Sequence, residues 1–293
     1  LEVIFMAITV ITDSTAYLPE AYIQQYQIQV VSLNVIMDQK SYRELDLSNE
    51  TFYQEMTKRQ EIPKSSQPTP DEFIQCFEIA AQNGNDIVGI FISGELSGTF
   101  NNANVYKAMI LEKYPEIKIE IIDSRTCCMQ MGYAVLEAAK AAANKKSFDE
   151  VIHIAKHVLQ HSRFLFSPDT LEYLKKGGRI GGAAALIGNL FQIKPILTVK
   201  DGKADVFTKV RTRKKAMDTI VQQFIEEVGE KGFGGATVHH IHCEEEGQLL
   251  AKRIKEKFGQ VVPIQSIGPI IGIHVGPGSI GIAYHFHPLN NEK

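Results

Sequence analysis

The sequence predicts an α/β protein of two domains, an N-terminal one on a mostly parallel sheet and a C-terminal one with a mixed, partly antiparallel sheet. Three observations carry this expectation. Before residue 163, a mostly apolar run followed by a polar loop and a helical pattern occurs three times, as expected of buried strands joined by crossover helices. Beyond residue 163 the pattern changes to strand-like segments, one tight turn and amphipathic helices. The length, 293 residues, exceeds the roughly 250 at which compact cores tend to divide. The expected domains are residues 6–163 and 164–288, and Leu1 to Phe5, ahead of Met6, read as the remnant of an expression vector.

Ala7 to Ile11 form the first apolar run, ending in Thr12-Asp13-Ser14-Thr15, which can cap a helix begun near Pro19. Asp86 to Ile92 lead into Ser93-Gly94-Glu95-Leu96-Ser97-Gly98-Thr99, and Ile117 to Ile122 into Asp123-Ser124-Arg125. Ligands of such sheets sit beyond the carboxyl ends of the strands, so these loops are where a site is expected. The second half opens with Phe164-Leu165-Phe166-Ser167-Pro168 and the glycine-rich Gly177-Gly178-Arg179-Ile180-Gly181-Gly182. Strand-like segments follow at Ile193 to Val199, Asp205 to Val210, Ala236 to His242 and Gly281 to Phe286. Val199-Lys200-Asp201-Gly202-Lys203 reads as a hairpin turn. Helices are expected near Arg213 to Val228 and Glu246 to Phe258, with Ala216, Ile220, Phe224 and Val228 on the core face.

Composition excludes several classes. Lys and Arg number 31 against 34 Asp and Glu, a net charge of −3, so no strong field draws the molecule to nucleic acid or anionic membrane. No stretch reaches the roughly 18 to 20 apolar residues that span a bilayer, so no stable membrane insertion is expected. Four cysteines, two of them adjacent at Cys127 and Cys128, make neither a disulfide framework nor a CxxC pair, and a cytoplasmic location is expected. Walker A and GxSxG motifs are missing from the sequence, which removes the usual support for P-loop nucleotide and serine-hydrolase chemistry.

Asp13 and Asp123 both follow strands and offer either a carboxylate pair or two helix caps. His239, His240, His242 and Cys243 invite a metal reading, with His285 and His287 nearby in type. Strand alternation puts His240 and His242 on one face and His239 and Cys243 on the other, so no metal site is expected. The polar loops are more informative together. Ser65-Ser66-Gln67-Pro68-Thr69-Pro70, Ser93 to Thr99 and Gly272-Ile273-His274-Val275-Gly276-Pro277-Gly278 each bring small donors, which suit an anion, while Gly94 and Gly98 allow close approach to the backbone.

Five segments in order, Thr12 to Pro19, Lys64 to Pro70, Ile92 to Phe100, Leu174 to Ile180 and His274 to Gly278, resemble the successive motifs of the DegV family. The resemblance covers essentially Met6 to Phe286. It implies a two-domain α/β protein that buries one long-chain fatty acid between its domains. It further implies that the carboxylate is presented to a fatty acid kinase for acyl-phosphate formation, in the context of bacterial phospholipid metabolism. Head-group contacts carried over from the resemblance are Ser65, where the family usually has Thr, Ser93 with Gly94, and His274; Arg179 and Arg211 would dock the kinase. Two departures stand out: Gly94 replaces a usual Ser and Val275 a usual Thr.

The implied function is physically coherent. A desolvated carboxylate needs several hydrogen bonds, and a tail of about sixteen carbons gains about 0.8 kcal/mol per buried methylene. Ala183 to Phe191, Ile193 and Ile196 are expected to line the tail or to pack as core. The expected protein is a carrier subunit without catalysis of its own, and its one ligand is the fatty acid, with no cofactor. The alternatives are an acyl hydrolase, with Ser93 or Ser97 as nucleophile, His274 as base and Asp13 or Asp123 orienting the ring, and a lipid-sensing regulatory protein. A basic patch is expected at Arg179, Arg211, Arg213, Lys214 and Lys215.

Overall fold

A computed structural model describes residues 7–59, 61–187 and 193–287. Along the chain come β1 (Ile8–Asp13), α1 (Glu20–Gln25), β2 (Gln29–Val31), β3 (Asn34–Met37), β4 (Lys40–Arg43), α2 (Asn49–Lys58) and β5 (Lys64–Ser66). There follow α3 (Pro70–Gln82), β6 (Asp86–Phe91), α4 (Thr99–Lys113), β7 (Ile119–Asp123), α5 (Cys128–Ala143) and α6 (Phe148–Gln160). The remainder is β8 (Ser162–Ser167), α7 (Glu172–Lys176), β9 (Lys194–Lys200), β10 (Lys203–Val210), α8 (Arg213–Lys231), β11 (Gly235–His240), α9 (Glu244–Phe258), β12 (Ile264–Ser266), α10 (Pro269–Val275) and β13 (Ile280–His285). Leu1 to Phe5 and residues 188–191 of the expected tail lining lie outside the described residues.

The chain divides into two compact units, residues up to Leu33 with Ser66–His161, and Asn34–Ser65 with Ser162–His287. One division lies between His161 and Ser162, and residues 34–65 leave the N-terminal stretch for the second unit. Hydrogen bonds explain the allegiance. Tyr53 Oη donates to the carbonyls of Ile267 and Gly268, each at 2.8 Å, and Glu44 Oε1 accepts from Ile270 N at 2.8 Å. Asn49 Nδ2 donates to Ser266 Oγ at 3.2 Å. The partners of residues 44–53 are thus more than two hundred positions away, a relationship that no local pattern announces.

In the first unit the sheet is parallel throughout, in the order β2-β1-β6-β7. Every residue of β6, Asp86 to Phe91, is buried, as a central strand covered on both faces requires. Phe73, Phe77, Phe91 and Tyr106 anchor the core on the α3 and α4 side. Helix starts are chemically marked: Thr69 Oγ1 accepts from Glu72 N ahead of Pro70 in α3, and Ser147 with Glu150 forms a reciprocal capping box on α6.

In the second unit the main sheet runs β10-β9-β8-β13-β11-β12, antiparallel except for the β11–β12 pair. A smaller sheet has the order β4-β3-β5. The β9–β10 hairpin turns at Asp201 and Gly202, whose φ values of 50° and 82° are the left-handed pair of a two-residue turn. Phe224 sits at the centre of the core, edge-on to Phe233, Phe258 and Tyr284. Ile196 belongs to this core. Of the expected tail lining, Ala183 and Leu186 are buried in a short 3₁₀ helix, Gly181–Leu186, rather than in an α-helix. Strand β11 ends at His240, and His242 has φ 51°, so the alternation assumed for His242 and Cys243 does not extend that far. No described helix is long and apolar enough to cross a membrane.

Candidate ligand-binding site

Ser65 lies in β5 and His274 in the last turn of α10, and Ser65 Oγ is 2.8 Å from His274 Nε2. Both side chains are half-buried. They form part of the wall of a cleft of about 730 Å³ within the second unit, together with Ile62, Pro63, Gly177 and Ile273. That volume falls within the range of about 300 to 1,000 Å³ common for small-molecule sites. Lys64, Lys176 and Arg179 also border the cleft, against one acidic residue, Glu61. Burial pushes the His274 imidazole down to about 4, and the Arg179 guanidinium adds to the fall, so the ring is neutral at pH 7.

Helix α10 is held from several sides. Pro269 opens it, Glu44 binds Ile270 N, and Tyr53 binds the two carbonyls just before the helix. Gly272 leaves the space that Tyr53 fills, since a Cβ there would lie 2.0 Å from the Tyr53 hydroxyl oxygen. Gly177, at the end of α7, stands against the other imidazole nitrogen: a Cβ would lie 2.3 Å from His274 Nδ1. Nδ1 is buried and has no hydrogen-bond partner among the described residues. Arg179 Nη1 donates to Gly177 O at 2.8 Å, folding the guanidinium back over the same turn.

Ser93 and Gly94 belong to the first unit. Ser93 is fully buried; its N–H donates to Thr126 O at 2.9 Å and its hydroxyl oxygen accepts from Glu95 N at 3.2 Å. The Gly94 N–H donates to Asp123 Oδ1 at 3.2 Å, and Arg125 N donates to the same oxygen at 2.8 Å. Asp123 thus ties two loops together. Asp13 does the same elsewhere, accepting from Thr15 N at 2.9 Å, Thr15 Oγ1 at 2.5 Å and Ile92 N at 2.7 Å. Burial raises its carboxyl to about 6, against the lowering effect of these donors. Asp13 caps the short 3₁₀ helix Ser14–Ala16, as the capping reading expected, whereas Asp123 caps no helix: α5 starts behind Cys127, and Asp123 bridges two loops instead.

The expected basic patch is only partly a patch. Arg213 is engaged inward: Nη1 donates to Ser167 O at 2.9 Å, Nε to Glu246 Oε2 at 3.0 Å, and Nη2 to Gly278 O and to Glu246. Arg211, Lys214 and Lys215 are exposed. Among the described residues no group of three or more His, Cys, Asp or Glu side chains is placed to hold a metal ion. His239 is fully buried on β11 and driven by burial down to about 3, the state of a packed core histidine. Nothing in the sequence marks Tyr53, and Lys64, Lys176 and Gly177 stand only as members of longer segments, without a role. The tandem Gly177-Gly178 was visible, but the ring it accommodates comes from about a hundred residues away.

Residues 7–287 match the model of the DegV family, described as "Uncharacterised protein, DegV family". The chain belongs to this family. A DegV domain-containing protein of Clostridium acetobutylicum is 50% identical over 280 residues, covering 96% of this chain and 98% of the relative. Among solved structures, DegV from Bacillus subtilis, described as a fatty acid binding protein, superposes with a TM-score of 0.86 at 33% identity, covering 96% of this chain and all of that one. A DegV family protein from Thermus thermophilus, reported for fatty acid binding, gives a TM-score of 0.87 at 29% identity, again covering 96% and 100%. The two-domain α/β fold is therefore that of the family.

Proposed function

We propose that this protein binds one long-chain fatty acid, holds its carboxylate at the Ser65–His274 pair, and presents it to a fatty acid kinase for acyl-phosphate formation. The observation that carries the reading is the 2.8 Å Ser65–His274 contact on the wall of a cleft that has apolar Ile62, Pro63 and Ile273 beside positive Lys64, Lys176 and Arg179. A neutral hydroxyl–imidazole pair can supply hydrogen bonds to a carboxylate without a buried ion pair, while apolar walls take the tail. The fatty acid binding described for the proteins from Bacillus subtilis and Thermus thermophilus supports the same ligand class. Exposed Arg179 and Arg211 are proposed as the kinase-facing cations, a role suited to the guanidinium fork.

The protein is proposed to act as a carrier without catalysis of its own. A hydrolase would need an imidazole that accepts a serine proton and is oriented by a carboxylate at its second nitrogen. Here that nitrogen faces Gly177, the imidazole is driven down to about 4, and Asp13 and Asp123 are engaged with backbone N–H groups. Incubation with a chromogenic acyl ester and, separately, with palmitate distinguishes the readings: a carrier binds stoichiometrically and releases no product above background, whereas multiple turnovers establish the hydrolase.

A further inference from the structure

We infer that Gly177 is a positioning residue that fixes His274 in its Nε2–H form and so sets the direction of the Ser65–His274 hydrogen bond. The inference rests on the fatty acid reading only for its functional consequence.

Gly177 and Gly178 are adjacent but are glycine for different reasons. Gly178 has φ 70°, a left-handed conformation, and nothing lies within 4 Å of where its Cβ would be; the backbone requires it. Gly177 has φ −77°, which any residue adopts, but a Cβ would lie 2.3 Å from His274 Nδ1 and 3.2 Å from Cε1. The imidazole requires it. Pressed against that Cα, Nδ1 is buried with no partner among the described residues. A proton on Nδ1 would be a buried donor without an acceptor, whereas a bare lone pair there forfeits less. The neutral ring therefore carries its proton on Nε2.

The consequence falls on Ser65. With Nε2 protonated, Ser65 Oγ accepts the 2.8 Å hydrogen bond, and the hydroxyl proton is left to be donated to a ligand oxygen. With Nδ1 protonated, Nε2 would take the hydroxyl proton and Ser65 would turn lone pairs toward the cleft, which a carboxylate does not tolerate. The tautomer thus decides whether the pair attracts or repels an anion.

The test uses the full chain with ¹⁵N-labelled histidine. Long-range proton–nitrogen spectra without ligand, with His274 assigned by loss of its signals in His274→Gln, are expected to show a protonated Nε2 and an unprotonated Nδ1. Gly177→Ala is expected to shift that ratio and to weaken palmitate binding about tenfold. Gly178→Ala, which strains the backbone but leaves the ring alone, is expected to leave the ratio unchanged. A parental spectrum with Nδ1 protonated overturns the inference, even if Gly177→Ala does not fold. So does a Gly177→Ala protein whose His274 signals match the parent. Because the spectra need no ligand, a chain that shows the Nε2–H form but binds no palmitate leaves the inference standing and removes the fatty acid reading.

Discussion

The Ser65 hydroxyl and the His274 imidazole meet at 2.8 Å although 209 positions separate them. Residues 34–65 make the meeting possible, because they fold with the C-terminal stretch and carry β5 to α10. If that pair receives a carboxylate, Ser65→Ala and His274→Ala should each weaken palmitate binding by about 1 to 3 kcal/mol, on the order of five- to a hundredfold. Titration calorimetry measures this directly. Parental affinity in both variants would place the head group elsewhere.

Much of the architecture was legible from residue type alone. β1, β6 and β7 are runs of β-branched and apolar residues with no charged residue between their ends except Glu120, and Asp201-Gly202 can scarcely be anything but a turn. What stayed hidden are short elements with weak patterns. Strand β4, Lys-Ser-Tyr-Arg, is exposed at all four positions, and α2 has three buried residues in ten. Neither alternates cleanly: β4 is placed by pairing with β3, and α2 by the hydrogen bonds of Asn49 and Tyr53 to residues 266–268. At the site, residue types were readable as anion donors, but the steric partnership of Gly177 with His274 is a property of the folded chain.

Stability should depend on pH in a direction fixed by three buried groups. Burial holds His239 at about 3 and His274 at about 4, against an ordinary 6.5. Each contributes stability that is present above pH 6.5 and lost as pH falls toward the folded value, because the unfolded chain takes up the proton first. Asp13 opposes them: its carboxyl is raised from 3.8 to about 6, so its contribution is present below 3.8 and lost as pH rises through 6. At pH 5 two histidines outweigh one carboxyl, and unfolding takes up about one net proton, a slope of about 1.4 kcal/mol per pH unit. Urea unfolding between pH 4.5 and 6.5 should show stability rising with pH; a flat or falling profile contradicts the assignment.

Neighbouring arginines should separate by function. Arg213→Ala removes donors to Ser167 O, Gly278 O and Glu246 and should cost about 1 to 3 kcal/mol of stability. Arg211→Ala, at an exposed position, should stay within about 0.5 kcal/mol of the parent. With a cognate kinase, Arg179→Ala and Arg211→Ala should slow acyl-phosphate formation while fatty acid affinity stays near parental. Full kinase activity in both variants would remove their proposed docking role.

Tyr53 is almost completely buried, and its hydroxyl serves the carbonyls of Ile267 and Gly268 at the entrance to α10. Tyr53→Phe leaves its ring in place and should cost about 0.5 to 1.5 kcal/mol, the net range for a hydrogen bond lost, since Gly268 O still accepts from Gly272 N. Thermal and urea unfolding of the pair of proteins measure it, and an unchanged midpoint would show that those hydrogen bonds contribute no net stability.

The central claim, that this chain carries a fatty acid, is tested most directly by native mass spectrometry of the purified protein, followed by organic extraction and identification of whatever is released. The account predicts about one long-chain fatty acid per chain, and a delipidated protein whose melting temperature rises again on adding palmitate or oleate, because a ligand bound only by the native state stabilises it. An extract without fatty acid, together with no thermal shift on adding either lipid, would contradict it.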